Sequence, residues 1–362
     1  MDKSLLDHLK PLRDQIDSID QQLLQLLNQR AQMAIEVGKV KLQFSADDSI
    51  IKPEREAQII RKLQQGNRTQ AFPKEAVNAV WTEIISACRG LERGLRIAYL
   101  GPKGSFSEQA AYQFYGHAIV PVPCASFDEV FRSVEAGQAD CGMVPVENST
   151  EGAVNRTQDL LLKTTLKVHG ERTLPIRHCL LTQTGTMRGV KRVLAHPQAL
   201  AQCHHWLSQN YPNVTPISVA SNSEAVRLVT QDPEAAAIAG SHAALAWDVN
   251  IVAEGIQDDA NNKTRFLAIG HVENHSTGRD QTSLIVAVPN RVGAVHELIA
   301  PFAEHNVSMS RFESRPARTG QWEYYFYIDI LGHQEDAAVK KALADLHKLS
   351  SFLKILGSYP QQ

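Results

Sequence analysis

The sequence lacks Cys-x-x-Cys pairs, an excess of either charge, and any apolar run long enough to cross a bilayer, and each absence removes a class of protein. Its five cysteines, Cys88, Cys124, Cys141, Cys179 and Cys203, are widely separated. Neither a zinc ribbon nor a disulfide framework is indicated, and reduced thiols in a cytoplasmic protein are expected. A formal net charge of −2 over 362 residues leaves no electrostatic footprint for nucleic acid. The first ten residues alternate charges with leucines, which is not an export signal, and no segment reads as a membrane span. There is neither a Walker A loop nor a Gly-x-Gly-x-x-Gly fingerprint, which argues against nucleotide binding and a nicotinamide dehydrogenase. Small molecules and further copies of the chain remain as expected partners.

What is present is ordinary globular composition, 43% hydrophobic and 21% charged, in a chain too long for one core. Three textures follow one another. Residues 1–93 read as helical, with breaks at Phe44 to Ser49 and Gly66 to Pro73. Residues 96–272 alternate short apolar runs (Arg96 to Leu100, Cys141 to Val146, Cys179 to Thr182, Ala235 to Ala239) with helical stretches, which predicts an α/β unit. After a polar stretch, Glu273 to Asp280, residues 281–360 read strand, helix, strand, strand, helix, strand, a ferredoxin-like βαββαβ order.

In the first unit Leu9, Leu12, Ile16, Ile19, Leu23, Leu26, Met33, Val37 and Val40 form a helical seam in which Arg30 occupies a core position. A guanidinium there needs an anionic partner, and no acidic residue falls at neighbouring seam positions; a bound carboxylate or an ion pair across helices would serve. Lys41 lies about 16 Å along the same face, turned by only about 20°. Arg13 lies roughly 25 Å the other way, turned by about 100°, so it can reach the same ligand only from another chain.

Leu12-Arg13-Asp14-Gln15-Ile16-Asp17, Gln29-Arg30 and Val37-Gly38-Lys39-Val40-Lys41 resemble the all-helical chorismate mutase family. The resemblance implies an intertwined dimer in which Arg13 of one copy and Arg30 of the other bind substrate carboxylates. Lys41 would meet the ether oxygen, and Arg55 and Glu56 the carboxylate and ring hydroxyl. Glu92 aligns with the position facing the ether oxygen, where many relatives carry glutamine. A glutamate must carry its proton to donate there, so mutase activity is expected to fall as pH rises. The reaction is a pericyclic rearrangement of a dianion, which needs a compressed conformer and stabilised developing charge rather than a nucleophile or base. Two positions depart from the pattern: Lys52 replaces an aspartate found in some relatives, and Cys88 a common serine.

In the second unit, Gly101-Pro102-Lys103-Gly104-Ser105-Phe106-Ser107 joins a strand to a helix, where its amides could bind an anion. Val144-Pro145-Val146-Glu147-Asn148-Ser149-Thr150-Glu151-Gly152, Ala195-His196-Pro197-Gln198-Ala199-Leu200 through Gln202-Cys203, and Asn262-Lys263-Thr264-Arg265-Phe266 follow. Together these motifs resemble prephenate dehydratase. The resemblance implies two α/β lobes of the periplasmic-binding-protein type with the site in the cleft. Thr264 would donate to the leaving hydroxyl. Ser105, Asn148, Ser149, Thr150, Gln198, Gln202, Arg265 and Phe266 would bind and position substrate. The proton would come from Glu147, His196 or water, and no metal or organic cofactor is called for.

In the third unit, Asn290-Arg291-Val292-Gly293-Ala294-Val295 and Glu313-Ser314-Arg315-Pro316 resemble the phenylalanine-binding motifs of an ACT domain. The resemblance implies an effector site made by Asn290, Val292, Gly293, Ala294, Val295, Glu313, Ser314 and Arg315, with paired domains enclosing the amino acid. A glycine at a strand-to-helix turn lets amides approach a carboxylate. The order of the three units is that of bifunctional chorismate mutase/prephenate dehydratases, the P-proteins of phenylalanine biosynthesis. It implies chorismate and prephenate as substrates, L-phenylalanine as inhibitor and a homodimer or higher oligomer, with no nucleic acid or membrane partner. A non-enzymatic, amino-acid-responsive regulator is the competing reading, and it leaves Arg30, Lys41 and Thr264 without a chemical reason.

Overall fold

The computed structural model describes residues 3–44, 51–69, 71–288, 291–316 and 324–361. It opens with helices α1 (Lys3–Phe44), α2 (Pro53–Gly66) and α3 (Lys74–Gly90). Pro53 begins α2, where its missing N–H removes nothing. The break expected at Gly66 to Pro73 separates α2 from α3; the one at Phe44 to Ser49 lies almost entirely outside the described residues. The apolar seam of α1 is not a core within one chain. Leu12, Ile16, Ile19, Leu23, Leu26, Met33, Val37 and Val40 are each more than half exposed, and Arg30 is half-buried. Length is the reason: 42 residues extend about 63 Å, while α2 and α3 are roughly 21 and 26 Å long.

The second unit runs β1 (Leu95–Leu100), α4 (Phe106–Tyr115), β2 (Ile119–Cys124), α5 (Phe127–Glu135), β3 (Cys141–Asn148), β4 (Gly152–Ala153), α6 (Asn155–Lys163) and β5 (Lys167–Pro175). It crosses to a second lobe of β6 (Cys179–Thr182), β7 (Arg192–Ala195), α7 (Pro197–Gln202), α8 (His204–Asn210), β8 (Thr215–Ser218), α9 (Asn222–Val229), β9 (Ala235–Ala239), α10 (Ser241–Trp247) and β10 (Asn250–Glu254). The chain returns as β11 (Lys263–Gly270). The first lobe's sheet has the order β2-β1-β3-β11-β5, with β4 on β3, and the second lobe's β10-β6-β9-β7-β8. Alternation along β1 and β3 sends Ala98, Val144 and Val146 into one core and Leu95, Ile97, Cys141 and Met143 into another, as strands covered on both faces require.

The third unit is β12 (Asp280–Ala287), α11 (Ala294–Glu304), β13 (Met309–Pro316), β14 (Tyr324–Leu331), α12 (Ala337–Leu349) and β15 (Phe352–Pro360). This is the expected βαββαβ order, as an antiparallel sheet β13-β14-β12-β15. Leu284, Val286, Phe326 and Ile328 face the helices. Ile285, Tyr327, Leu356 and Tyr359 face the other way and share a core with Val168, Leu267 and Ile269 of the first lobe. A Cβ on Gly357 would stand 2.1 Å from the Val168 carbonyl oxygen, so glycine lets β15 lie directly against β5. The polar stretch Glu273 to Asp280 is no free linker: buried Asn274 donates to the carbonyls of His169 (3.1 Å) and Ser358 (2.8 Å).

Candidate active sites

Antiparallel pairing sets Thr264 of β11 opposite Asn148 of β3, and Arg265 opposite Glu147. Thr264 and Asn148 are both 8% exposed. The Asn148 Oδ1 accepts from the Thr150 amide (3.0 Å), the Thr150 hydroxyl (2.6 Å) and the Glu151 amide (3.1 Å). Two backbone donors fix the orientation of the side-chain amide, so its Nδ2 is the end that meets Thr264. Nδ2 donates to the Thr264 Oγ1 at 2.8 Å and to the Asn262 Oδ1 at 2.9 Å. The Thr264 oxygen is therefore an acceptor toward Asn148, and its own proton is available for another group.

The donors continue in one direction from the opposite side of the cleft. Gln202, at the end of α7 in the second lobe, donates from Nε2 to the Thr150 hydroxyl at 3.4 Å. His178, where the chain crosses between lobes, lies 2.9 Å from the Gln202 Oε1 through its Nε2. Burial lowers the His178 pKa, opposed by the Gln202 hydrogen bond, so the ring is neutral and serves Gln202 as a donor. From His178 through Gln202, Thr150 and Asn148 each group donates to the next, ending at Thr264.

Other expected residues have different duties. Ser105 caps α4, accepting from the Glu108 amide (3.2 Å) and donating to the Leu100 carbonyl (2.7 Å). The anion held by this loop is the protein's own Glu108 carboxylate, which accepts from the Gly104 amide (2.6 Å), the Tyr99 hydroxyl (2.6 Å) and His242 Nε2 (3.0 Å). His242 lies on α10, so this contact joins the lobes. Burial acts to raise the Glu108 pKa, but the bonds from His242, Tyr99 and Gly104 outweigh it and hold the carboxyl below its ordinary value. Ser105-Phe106-Ser107-Glu108 has the sequence of a capping box, with the Glu108 carboxylate reaching back to the Gly104 amide, and this accounts for the loop without a ligand.

Ser149 accepts from the Lys263 amide at 2.9 Å and ties its turn to β11. Gln198 is exposed one turn before Gln202, and His196 caps α7, its Nδ1 accepting from the Gln198 amide. Phe266, 2% exposed, is a core residue. Arg265 does not join Thr264, because successive side chains of a strand point to opposite faces. Its guanidinium meets Glu171 (2.6 Å), Asp329 (2.6 Å) and the Tyr359 hydroxyl (3.0 Å). Glu147 is likewise turned away, to Arg311 at 3.1 Å.

In the helical unit Lys41 and Glu92 come together at 3.4 Å, with Gly38 packed on Glu92: a Cβ there would lie 3.1 Å from its Cγ. Arg30 makes no ion pair with any described residue. Glu56 pairs with buried Arg89 at 2.6 Å. Burial raises its pKa, opposed by Arg89 and, more weakly, by Arg30. Arg55 and Arg13 are exposed, and Arg13 is far along α1 from Arg30. Within one chain Lys41 meets Glu92, and Arg30 lies near enough to Glu56 to act on its charge, while Arg13 is far along α1.

Family models match in order: chorismate mutase type II over residues 12–93, prephenate dehydratase over 97–274, and the ACT domain over 282–348. The bifunctional chorismate mutase/prephenate dehydratase of Neisseria gonorrhoeae is 46% identical, over 99% of this chain and 99% of its own length. The chain belongs to that family. The enzyme of the same name from Pseudomonas aeruginosa is 43% identical, over 98% of each chain. A prephenate dehydratase from Arthrobacter aurescens, solved in complex with L-Phe, superposes with a TM-score of 0.68 at 34% identity, covering 74% of this chain and 90% of that one.

As in the family's motifs, β13 carries Glu313 and Arg315, but here both face the dehydratase unit. Glu313 accepts from Gln158 at 3.0 Å and Arg315 pairs with Asp159 at 2.9 Å. Ser314 alternates to the exposed face. At the other motif Gly293 takes a left-handed φ of +84° and caps α11. Ala294 is buried, Val292 is fully exposed and Val295 is 43% exposed; Asn290 lies outside the described residues. Reading the sequence missed His178, Asn262 and His242. Asn262 had a signal: it sits two residues before Thr264, immediately ahead of β11. Among the described residues no three metal-ligating side chains cluster, and no helix is long and apolar enough to cross a membrane.

Proposed function

We propose that this chain converts chorismate to prephenate at its helical unit, prephenate to phenylpyruvate in the interlobe cleft, and responds to L-phenylalanine at its third unit. The observation that carries the dehydratase step is the 2.8 Å bond from Asn148 Nδ2 to Thr264, which leaves the Thr264 proton free to donate. As the ring carboxylate departs as carbon dioxide, the C–C electron pair enters the ring. The C–O bond to the ring hydroxyl breaks, and the hydroxyl leaves as water on taking a proton. A donor held at that oxygen stabilises the developing charge where it appears. Glu147 is turned away to Arg311, which leaves His196 or water as the proton's source.

In the mutase step Arg30 and Lys41 hold the two ends of the dianion, Glu92 meets the ether oxygen and Glu56 the ring hydroxyl. The exposed seam of α1 supports a second copy of the chain as the missing partner: an apolar face of this extent marks an interface, and a second α1 would bring Arg13 to the site. We place the protein in the cytoplasm, in keeping with five unpaired, buried cysteines. The test supplies purified protein with chorismate alone and follows prephenate and phenylpyruvate, with and without L-phenylalanine. Phenylpyruvate that phenylalanine suppresses is the expected result. Prephenate alone removes the dehydratase role, and ligand binding without turnover would make the chain a regulator.

A further inference from the structure

The catalytic strand pair has a second face. Thr264 and Asn148 point into the cleft, while their neighbours Arg265 and Glu147, also cross-strand partners, point to the third unit. Arg265 is held there by Asp329 of β14 and Tyr359 of β15 as well as by Glu171 of β5. Ser283 of β12 braces this group, 2.5 Å from the Asp329 Oδ1 and 2.7 Å from the Tyr359 hydroxyl. Glu147 is held by Arg311 of β13, which also binds Glu313. All four strands of the third sheet thus reach the back of the two residues that carry the donor chain.

We infer that Arg265 and Glu147 are positioning residues through which the third unit sets the geometry of the Thr264–Asn148 pair. The inference rests on the proposed roles of Thr264 and of phenylalanine. Arg311, Glu313 and Arg315 alternate along one face of β13, two residues apart. A ligand that engages Glu313 or Arg315 therefore acts on the side chain that holds Glu147, and through β13–β14 pairing on Asp329. Arg265 has a fixed fork of donors distributed over three acceptors, so a shift of one acceptor redirects the guanidinium and the strand that bears it. Packed networks of this kind change between discrete arrangements, which converts a small displacement at one face into a change of alignment at the other.

The experiment uses the full chain as Asp329→Asn and as Arg311→Met, two residues outside both proposed catalytic sites. L-phenylalanine binding is measured by calorimetry, dehydratase kcat and KM with and without it, and mutase rate as a check on folding. Each variant is expected to bind phenylalanine within about threefold of wild type while inhibition of dehydratase kcat weakens by about tenfold or more. A folded variant that binds phenylalanine and is inhibited as wild type would overturn the inference; if Asp329→Asn fails to fold, Arg311→Met decides. Arg265→Lys keeps the charge and loses the fork, and is expected to lower dehydratase kcat about fivefold or more with little change in KM and mutase rate. An unchanged kcat there refutes positioning even if wild type proves insensitive to phenylalanine, an outcome that would remove only the effector reading.

Discussion

Direction, more than proximity, is what the dehydratase site asks of its hydrogen bonds, and Thr264→Val tests it. Valine matches threonine in shape, and Asn148 Nδ2 keeps its bond to Asn262 at 2.9 Å, so the fold loses one hydrogen bond, about 1 kcal/mol. Catalysis loses the donor at the leaving oxygen, about 3–4 kcal/mol if it behaves as oxyanion-type donors do, or roughly 100–1000-fold in kcat. Mutase turnover is unaffected, and Thr264→Ser restores most of the dehydratase rate. Asn148→Asp is the sharper case because Thr264 is untouched. The three donors at Oδ1 still hold the carboxylate, and Asn262, whose Nδ2 is buried without a partner, can turn its amide to donate to it. The Thr264 hydroxyl then faces an acceptor and must donate to it, so its proton is no longer offered to substrate. The expected loss is again about 100-fold or more in kcat, read by following phenylpyruvate at saturating prephenate. An Asn148→Asp enzyme within about threefold of wild type would refute the directional argument.

At the helical unit, Arg30→Met should leave stability within about 1 kcal/mol and dehydratase turnover intact while mutase turnover falls about 100-fold; a mutase-competent variant would make Arg30 structural. Glu92→Gln gives up the 3.4 Å ion pair with Lys41 but keeps a donor for the ether oxygen, so mutase turnover should persist, and a loss of about 100-fold would remove Glu92 from that role. Buried His169, 2.9 Å from the Tyr115 hydroxyl through Nε2, has its pKa pushed down to about 3 by burial. Between that value and about 6.5 the unfolded chain binds the extra proton, so this residue withdraws stability as pH falls through the window, roughly 2 kcal/mol between pH 7 and 5. Urea unfolding of His169→Gln at those two pH values should show a change smaller by about that amount, and an equal change would mean that His169 is protonated in the folded state. Replacing Ile16 and Leu23 together by aspartate should give a smaller species in sedimentation with little mutase activity and normal dehydratase activity; an unchanged assembly would show that the α1 seam is not the contact between copies.

The fold was legible where it rests on pattern: helical seam, alternating α/β texture and βαββαβ order each follow from periodicity, and each appears. The site was legible only as far as residue type. Thr264 and Asn148 meet, yet Arg265, the next residue along the same strand, serves the third unit. A motif read as a string cannot say which face of a strand each letter occupies until the strand's partners are known. Ser105 and Glu108 teach the same lesson at a helix start, since the loop that looked ready for a ligand anion holds an internal carboxylate. The α1 seam was read as apolar, and within one chain it stands uncovered. Periodicity reports that a face is to be buried, not by what, and a helix about 63 Å long has too little of its own chain to lie against.

The strand pair at the centre of the dehydratase unit explains how two duties fit in so few residues. Pairing is regular from Thr264–Asn148 to Arg265–Glu147 and then shifts, Phe266 meeting Pro145, so Val146 is the additional residue of a bulge. Its carbonyl is not wasted: it accepts from the Val154 amide at 2.9 Å, which folds β4 and the Ser149–Thr150 turn back over β3 and brings Thr150 to Asn148. Were Val146 instead paired in regular register opposite Arg265, every later side chain of β3 would exchange faces. Asn148 would then turn toward the third unit and Glu147 toward the cleft, placing a carboxylate where a donor is required for a dianionic substrate. The bulge therefore assigns the donor chain to the cleft and the charged pair to the third unit.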